Sequence, residues 1–270
     1  MTASGGDAGV IFSDSDTGVR TVTLNRPERK NALDWPAWCA LRDILVETAR
    51  SGRIRALILT GADGSFCSGA DISKPDSRHP SDKMRILADV AMALHDLTIP
   101  TIAKVSGTAV GAGWNLALGC DLVVATPDAR FCQIFARRGL SMDLGGSWLL
   151  TRLVGLQQAK RLALLADMID ADEALALGLV TWVVDADDID TFVDEQSNRL
   201  AAGPPVALAQ IKSLLNEGVD ATLREALAGE SRAQVINFGT SDSAEAYAAF
   251  ARKTDPVFTG RWAVSPPGTA

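Results

Sequence analysis

Histidine is almost missing from this chain: of 270 residues only His79 and His95 are histidine. An imidazole metal site or a Ser-His-Asp relay therefore has little to be built from, and no GxSxG turn marks a nucleophilic serine. Cysteine is scarce as well. Cys39, Cys67, Cys120 and Cys132 contain no CxxC pair and no metal-type spacing, so no metal site is expected and a reduced, cytoplasmic setting fits best. Positive charge is in deficit, with 26 Lys and Arg against 33 Asp and Glu and no basic run. Without that electrostatic footprint, nucleic acid is not an expected partner. Long apolar runs are absent too. The longest uncharged stretch, Val105 to Cys120, holds four glycines and falls short of the ~20 residues that span a bilayer. Met1 to Ser15 has no Lys or Arg and so lacks the charged start of a secretory signal. The expectation is a protein with no membrane segment.

What is present is ordinary globular composition, 47% hydrophobic and 22% charged, arranged as alternating strand and helix signals. Val10–Phe12 and Val19–Leu24 read as short strands with Asp16-Thr17-Gly18 between them. Apolar residues at helical spacing predict a helix from Asp34 to Ala49 and another from Asp82 to Leu97, with the polar stretch Ser73–Ser81 as a loop before it. Ala56–Thr60 is a continuous apolar run, the pattern of a strand covered on both faces, Thr101–Val105 reads as another buried strand, and Leu122–Ala125 as a further strand. A third helix is expected near Gly111–Leu118. Beyond Gly139 come helices at Gly146–Leu153, Gln157–Ala166 and Asp170–Leu177, the last with Asp170 and Glu173 in capping-box spacing, then a strand at Val180–Val184. From Asp188 to Phe250 the pattern is helical and breaks at Gly203-Pro204-Pro205. The order of elements predicts an α/β core over residues 1–203 and a helical region over residues 204–270.

Two strand-to-helix turns stand out because they are built from small residues: Phe66 to Ile72, and Gly107 to Gly113. Small residues let backbone N–H groups approach a ligand, and a helix N-terminus aims several unpaired N–H groups one way. Two such turns on neighbouring strands can point two donors at one oxygen. Taken singly, each turn is better explained by tight chain reversal. Gly111-Ala112-Gly113 is not a dinucleotide fingerprint, since the third glycine and the later acid are missing.

Asn25-Arg26-Pro27 with Asn31-Ala32-Leu33, FCSGADI (66–72), IPTIAKVSGTAVGAGWNLALGCD (99–121), LTRLVG (150–155), Asp172-Glu173-Ala174 and Gly178-Leu179-Val180 resemble, in order and spacing, the crotonase (enoyl-CoA hydratase/isomerase) superfamily. The likeness covers roughly residues 10–260. It implies a core of repeated ββα units with a helical C-terminal region that builds homotrimers, often paired into hexamers. It also implies an acyl-CoA thioester substrate, with coenzyme A part of that substrate and no separate cofactor. Carried over by position, Ala70 and Ala112 supply the two N–H groups that hold the thioester oxygen. Pro27, Arg29, Asp71 and Ile72 lie near the nucleotide or pantetheine part, and Phe258 and Arg261 belong to a segment that closes on CoA. The apolar faces of Val206–Leu215 and Leu223–Val235 fit the assembly.

The resemblance fails where family hydratases carry two glutamates, because those positions are Asn115 and Phe135. Neither can act as an acid or base. Asp143 occupies a third position, which matches the aspartate of dienoyl-CoA isomerases and of isomerases of the phenylacetate pathway. On its own residues Asp143 reads as a helix-capping acid; in the family register it reads as a proton shuttle for moving a double bond. Rival expectations are a hydratase using Asp143 and a water, an acyl-CoA hydrolase, and a catalytically silent acyl-CoA-binding protein. Trp114, Phe131, Phe135, Met142 and Trp148 read as ordinary core that also borders a pocket.

Overall fold

The structure, a computed structural model, describes residues 8–73 and 77–263. Residues 1–7 of the expected loose start and 74–76 of the expected loop lie outside the described residues. The strands are β1 (Val10–Asp14), β2 (Val19–Leu24), β3 (Ala56–Gly61), β4 (Thr101–Val105), β5 (Thr108–Val110), β6 (Leu122–Ala125), β7 (Arg130–Cys132), β8 (Ile169–Asp170) and β9 (Trp182–Val183). The helices are α1 (Trp35–Arg50), α2 (Pro80–His95), α3 (Ala112–Leu118), α4 (Gly146–Leu165), α5 (Ala171–Ala176), α6 (Ile189–Ala202), α7 (Pro205–Gly218), α8 (Leu223–Phe238) and α9 (Ser241–Arg252).

Six strands form one sheet in the order β1-β2-β3-β4-β6-β9, parallel except for the β1–β2 hairpin. Alternation explains why the central strands are apolar throughout. Leu57, Leu59, Ala103 and Val105 face a core shared with Trp38 and Leu41 of α1, Val90 and Leu94 of α2, and Trp114 of α3. Ala56, Ile58, Ile102 and Val124 face the other way, onto Ile189 and Val193 of α6. Both faces of the sheet are thus covered, as a parallel sheet requires. A second, three-stranded sheet, β5-β7-β8, stands at the C-terminal end of β4.

Helix ends follow local chemistry. Asp34 caps α1, its carboxylate accepting from Ala37 N at 3.1 Å. The helix expected from Asp82 begins at Pro80, because a proline suits the first helical position and His79 Nδ1 accepts from Ser81 N. Gly155, with φ 71°, divides α4 into two arms, which accounts for the two helices expected there. The capping box expected at α5 is half formed. Asp170 accepts from Glu173 N, but the Glu173 carboxylate pairs with Arg161 at 2.6 Å. The strand expected over Val180–Val184 shrinks to Trp182–Val183. Among the described residues no helix is long and apolar enough to cross a membrane. Helices α7, α8 and α9 pack chiefly on one another, and large apolar side chains such as Leu223, Val235 and Phe250 stand exposed on α8 and α9.

One buried amide ties the first loop to the sheet. Asn31, fully buried and at φ 57°, accepts from Arg26 N and donates to Ala62 O and Ser65 O. Asn31→Ala would strand three half-buried backbone groups and place alanine in the left-handed region. The expected loss is about 3 kcal/mol of unfolding free energy. Urea denaturation would measure it, and a loss no larger than that of an exposed substitution would contradict this account.

Candidate active site

The two small-residue turns are sewn together edge to edge. Cys67 N donates to Thr108 O and Val110 N donates to Cys67 O, both at 2.9 Å, a parallel bridge between the first turn and β5. On its far side the first turn bridges to Leu33: Leu33 N donates to Gly69 O and Asp71 N to Leu33 O, again at 2.9 Å. In such a bridge the N–H of the central residue points away from its partner. Ala70 is that residue, and its N–H donates to no group among the described residues. Ala112, the first residue of α3, likewise has an N–H without a partner among the described residues, as a helix N-terminus dictates.

Glycine permits the two turns to meet. A Cβ on Gly113 would fall 2.2 Å from Cys67 O, so no other residue fits without parting the bridge. Gly69 sits at φ 100°, and a Cβ there would lie 3.0 Å from Val110 O and 3.7 Å from Ala112 N. The residue before Ala70 therefore faces the start of α3 directly. Two free backbone donors on adjoining turns are suited to hold one carbonyl oxygen as it gains negative charge.

Of the other expected ligand-binding positions, four collect around Ala70. Pro27 and Arg29 form a 3-10 turn, and Arg29 O accepts from Ser68 Oγ at 3.1 Å. Ile72 is 72% exposed. The Asp71 side chain is instead turned inward, to Arg26 at 3.1 Å and Ser73 N at 3.0 Å. Those bonds hold its carboxyl down at about 2, the Ser73 contacts acting most and Arg26 next. Phe258 and Arg261 are not brought to this cluster by the contacts of their segment. It is pinned to α9, where Thr259 N and Gly260 N both donate to the buried Asp242 carboxylate at 2.8 Å and Arg261 O accepts from Ser241 N.

One turn along α3 from Ala112 lies Asn115. Its side chain is 1% exposed and fixed at both ends: Nδ2 donates to Asp143 O and Oδ1 accepts from Gln133 Nε2, each at 2.9 Å. Gln133 is a missed site residue. Its signal was a lone amide in the otherwise apolar FCQIF (131–135). Phe135 sits against Gly111, where it can only exclude water. Trp114 and Phe131 are core, their rings 5.4 Å apart, and Met142 packs partly buried against the same core.

Asp143 does not cap α4. Gly145 is the cap, and the carboxyl oxygen Oδ1 of Asp143 is buried without a hydrogen-bond partner among the described residues. Leu144, the next residue, is held at φ 47°, a left-handed conformation that costs a non-glycine residue roughly 1–2 kcal/mol. Burial pushes the Asp143 carboxyl up to about 6, against smaller opposite pulls from its own backbone and from Asn115. Below it, Asn115, Leu116, Leu144, Trp148, Met92 and His95 border a mainly apolar cavity of about 410 Å³. No cluster of three or more His, Cys, Asp or Glu suited to a metal ion occurs among the described residues.

A raised carboxylate pKa has a sign for stability. The native state favours the protonated form, so this group's stabilising contribution is complete below about 3.8 and is lost as pH rises through about 6. Asp143→Asn, neutral throughout, should therefore be more stable than the parent at neutral pH by on the order of 1–3 kcal/mol, with the gain vanishing towards about pH 4. Thermal unfolding at both pH values would test this, and a gain independent of pH would refute it.

Known proteins resemble this chain in sequence and in fold. The sequence profile described as enoyl-CoA hydratase/isomerase matches residues 14–261. The chain is 36% identical to a 1,2-epoxyphenylacetyl-CoA isomerase of Escherichia coli K12, over 93% of this chain and 98% of that one. It is also 36% identical to a short-chain-enoyl-CoA hydratase of Clostridium acetobutylicum, over 90% and 95%. The crystal structure of an enoyl-CoA hydratase from Polaromonas sp. JS666 superposes with a TM-score of 0.87 at 33% identity, covering 93% of this chain and 99% of that one.

Proposed function

We propose, from the premise that this chain belongs to the enoyl-CoA hydratase/isomerase family of the crotonase superfamily, that it moves a carbon–carbon double bond within an enoyl-CoA thioester. Ala70 N–H and Ala112 N–H hold the thioester oxygen. The Asp143 carboxylate removes a proton from the carbon next to the carbonyl of a 3-enoyl group. Electrons pass into the carbonyl, giving a dienolate whose oxygen the two N–H groups stabilise. Asp143 then returns the proton two carbons further out, which leaves the 2-enoyl thioester and restores the carboxylate.

The observation that carries this reading is a buried carboxyl oxygen without a partner among the described residues, on the residue whose backbone carbonyl accepts from Asn115 of α3, with an amide and a phenyl ring at the two family glutamate positions. One carboxylate with a pKa near the working pH suits a reversible proton relay. Addition of water, as in the relatives named as hydratases, would ask the same acid to activate a water beside Phe135. The exposed apolar side chains of α8 and α9 support assembly into a homotrimer, which light scattering would establish.

A 3-enoyl-CoA incubated in deuterated buffer tests the proposal. The expected result is rising absorbance of the conjugated thioester with solvent deuterium in the product. A hydroxyacyl product from crotonyl-CoA at enzyme-like rates would transfer the assignment to hydration, and free thiol would transfer it to hydrolysis. Binding with neither bond shift nor exchange would leave only an acyl-CoA-binding protein.

A further inference from the structure

The turn that carries Asp143 is strained. Asp143 O accepts from Gly146 N at 2.9 Å. The two residues between them, Leu144 at φ 47° and Gly145 at φ 73°, are both left-handed, the pattern of a type I′ turn. Glycine or asparagine is at ease there and leucine is not. The cost of holding Leu144 in place is of the same size as the net contribution of one neutral hydrogen bond. The Gly146 bond alone therefore leaves the turn near balance. A second bond to the same carbonyl, from Asn115 Nδ2 at 2.9 Å, tips it.

The Asn115 amide can make that bond in one orientation only. A carbonyl oxygen accepts and cannot donate, so Nδ2 must face Asp143 O and Oδ1 must face the other way. A donor is then needed opposite Oδ1, and Gln133 Nε2 supplies it at 2.9 Å. Both side chains are buried, so bulk water does not compete for either bond. A Cβ on Gly146 would overlap both ends of the Asn115 amide, which requires glycine at the start of α4.

Gln133 is hard to explain by stability. Its side chain makes this one hydrogen bond among the described residues, while its Oε1 is buried without a partner among them. A buried acceptor left unsatisfied costs about as much as the neighbouring bond returns. An apolar residue of similar size would serve the core as well.

Resting on the reading of Asp143 as the proton carrier, we propose that Gln133 and Asn115 are positioning residues for it. Gln133 fixes the Asn115 amide, and Asn115 clamps the turn 143–146 so that the carboxyl is held in one place. The chemistry stays with Asp143, and Gln133 acts only through Asn115.

The test compares Gln133→Met, Asn115→Leu and the double variant with the parent, by kcat on a 3-enoyl-CoA and by calorimetric Kd for a saturated acyl-CoA. Methionine keeps the length of Gln133 and removes the donor. Leucine keeps the branched outline of Asn115 and removes the clamp. Each single variant should lose about 10–10²-fold in kcat, the scale on which a misplaced catalytic group is felt. Kd should be unchanged in Gln133→Met, since Gln133 does not border the cavity beneath Asn115. The double variant should lose no more than Asn115→Leu does alone, because a residue acting through another has no separate share. Near-parental kcat in Gln133→Met, losses that multiply in the double variant, or weaker binding in step with the lost kcat overturns the clamp.

Should Asn115→Leu fail to fold, Gln133→Met decides alone, with hydrogen exchange over residues 144–149 as its second readout. Exchange there should quicken while the rest of α4 keeps its parental rate, and an unchanged rate overturns the clamp. Exchange needs no turnover, so it separates the two readings. Faster exchange in Gln133→Met, alongside an Asp143→Asn variant that turns over normally, would keep the clamp and remove the proton carrier. Parental exchange alongside an inactive Asp143→Asn would do the reverse.

Discussion

Asp143→Asn is expected to lower kcat for the double-bond shift by about 10²–10⁴-fold, the share that a positioned acid–base group supplies. Affinity for a saturated acyl-CoA should survive, because asparagine keeps the shape of the side chain and the Asn115 bond runs to the Asp143 backbone carbonyl, not to its carboxylate. The parent enzyme should also carry the signature of this group in its pH profile. A general base works ionised, and burial holds the Asp143 carboxyl up at about 6. The rate should thus fall about tenfold per pH unit on the acid side of that value, the slope of a single titration, and level off above it. Steady-state kinetics on a 3-enoyl-CoA between acid and mildly alkaline pH would show both effects. Unchanged turnover in the variant, or a profile flat through pH 6, would remove Asp143 from the mechanism.

The second large effect is expected from a residue that contributes no side chain to the chemistry. Ala112→Pro deletes one of the two free N–H groups and places a ring carbon where a thioester oxygen would sit. Proline suits the first position of a helix, which is where Ala112 lies. The restriction it imposes on the preceding residue falls lightly on Gly111, which has no Cβ. The fold should therefore survive while the developing oxyanion loses a donor, a cost of about 2.7–4 kcal/mol or 10²–10³ in rate. Ala112→Ser, which keeps the N–H, serves as the control. A proline variant with a native circular dichroism spectrum and near-parental kcat would show that Ala112 holds no oxyanion.

Legibility of this molecule from its sequence varied with how far each feature depends on distant residues. Val19–Leu24, Thr101–Val105 and Leu122–Ala125 are strands at the bounds expected of them, since their β-branched and apolar residues leave a clear local pattern. The small sheet β5-β7-β8 was not legible. Thr108–Val110 looks like part of a glycine-rich turn and becomes a strand only through bonds to residues 67 and 130–132. Ala70 and Ala112 leave no trace of their own, because a backbone N–H is common to every residue but proline. They were found through the family resemblance of the turns around them. Asp143 was named the same way. Its unpartnered oxygen and elevated pKa come from packing against Asn115, Leu144 and the start of α4, which no spacing along the chain encodes. Nor could the sequence foretell that Asp71, read as a ligand-side acid, spends its carboxylate on Arg26 and Ser73.

The weave around the two free amides has a consequence for how this enzyme comes into being. Leu33, Cys67 to Asp71, Thr108 to Gly113 and Cys132 meet at one point, although about a hundred residues separate the first from the last. Each link closes a long loop, and the entropy of that closure must be met before the contact returns anything. A growing chain that has emerged as far as Asp71 holds one amide in a turn with nothing to face. The second is not fixed until Cys132 accepts from Gly111 N. Activity should therefore appear late in folding and in a single step, after the parallel ladder has closed. Damage anywhere along the weave would slow the arrival of active enzyme as well as weaken the enzyme that arrives.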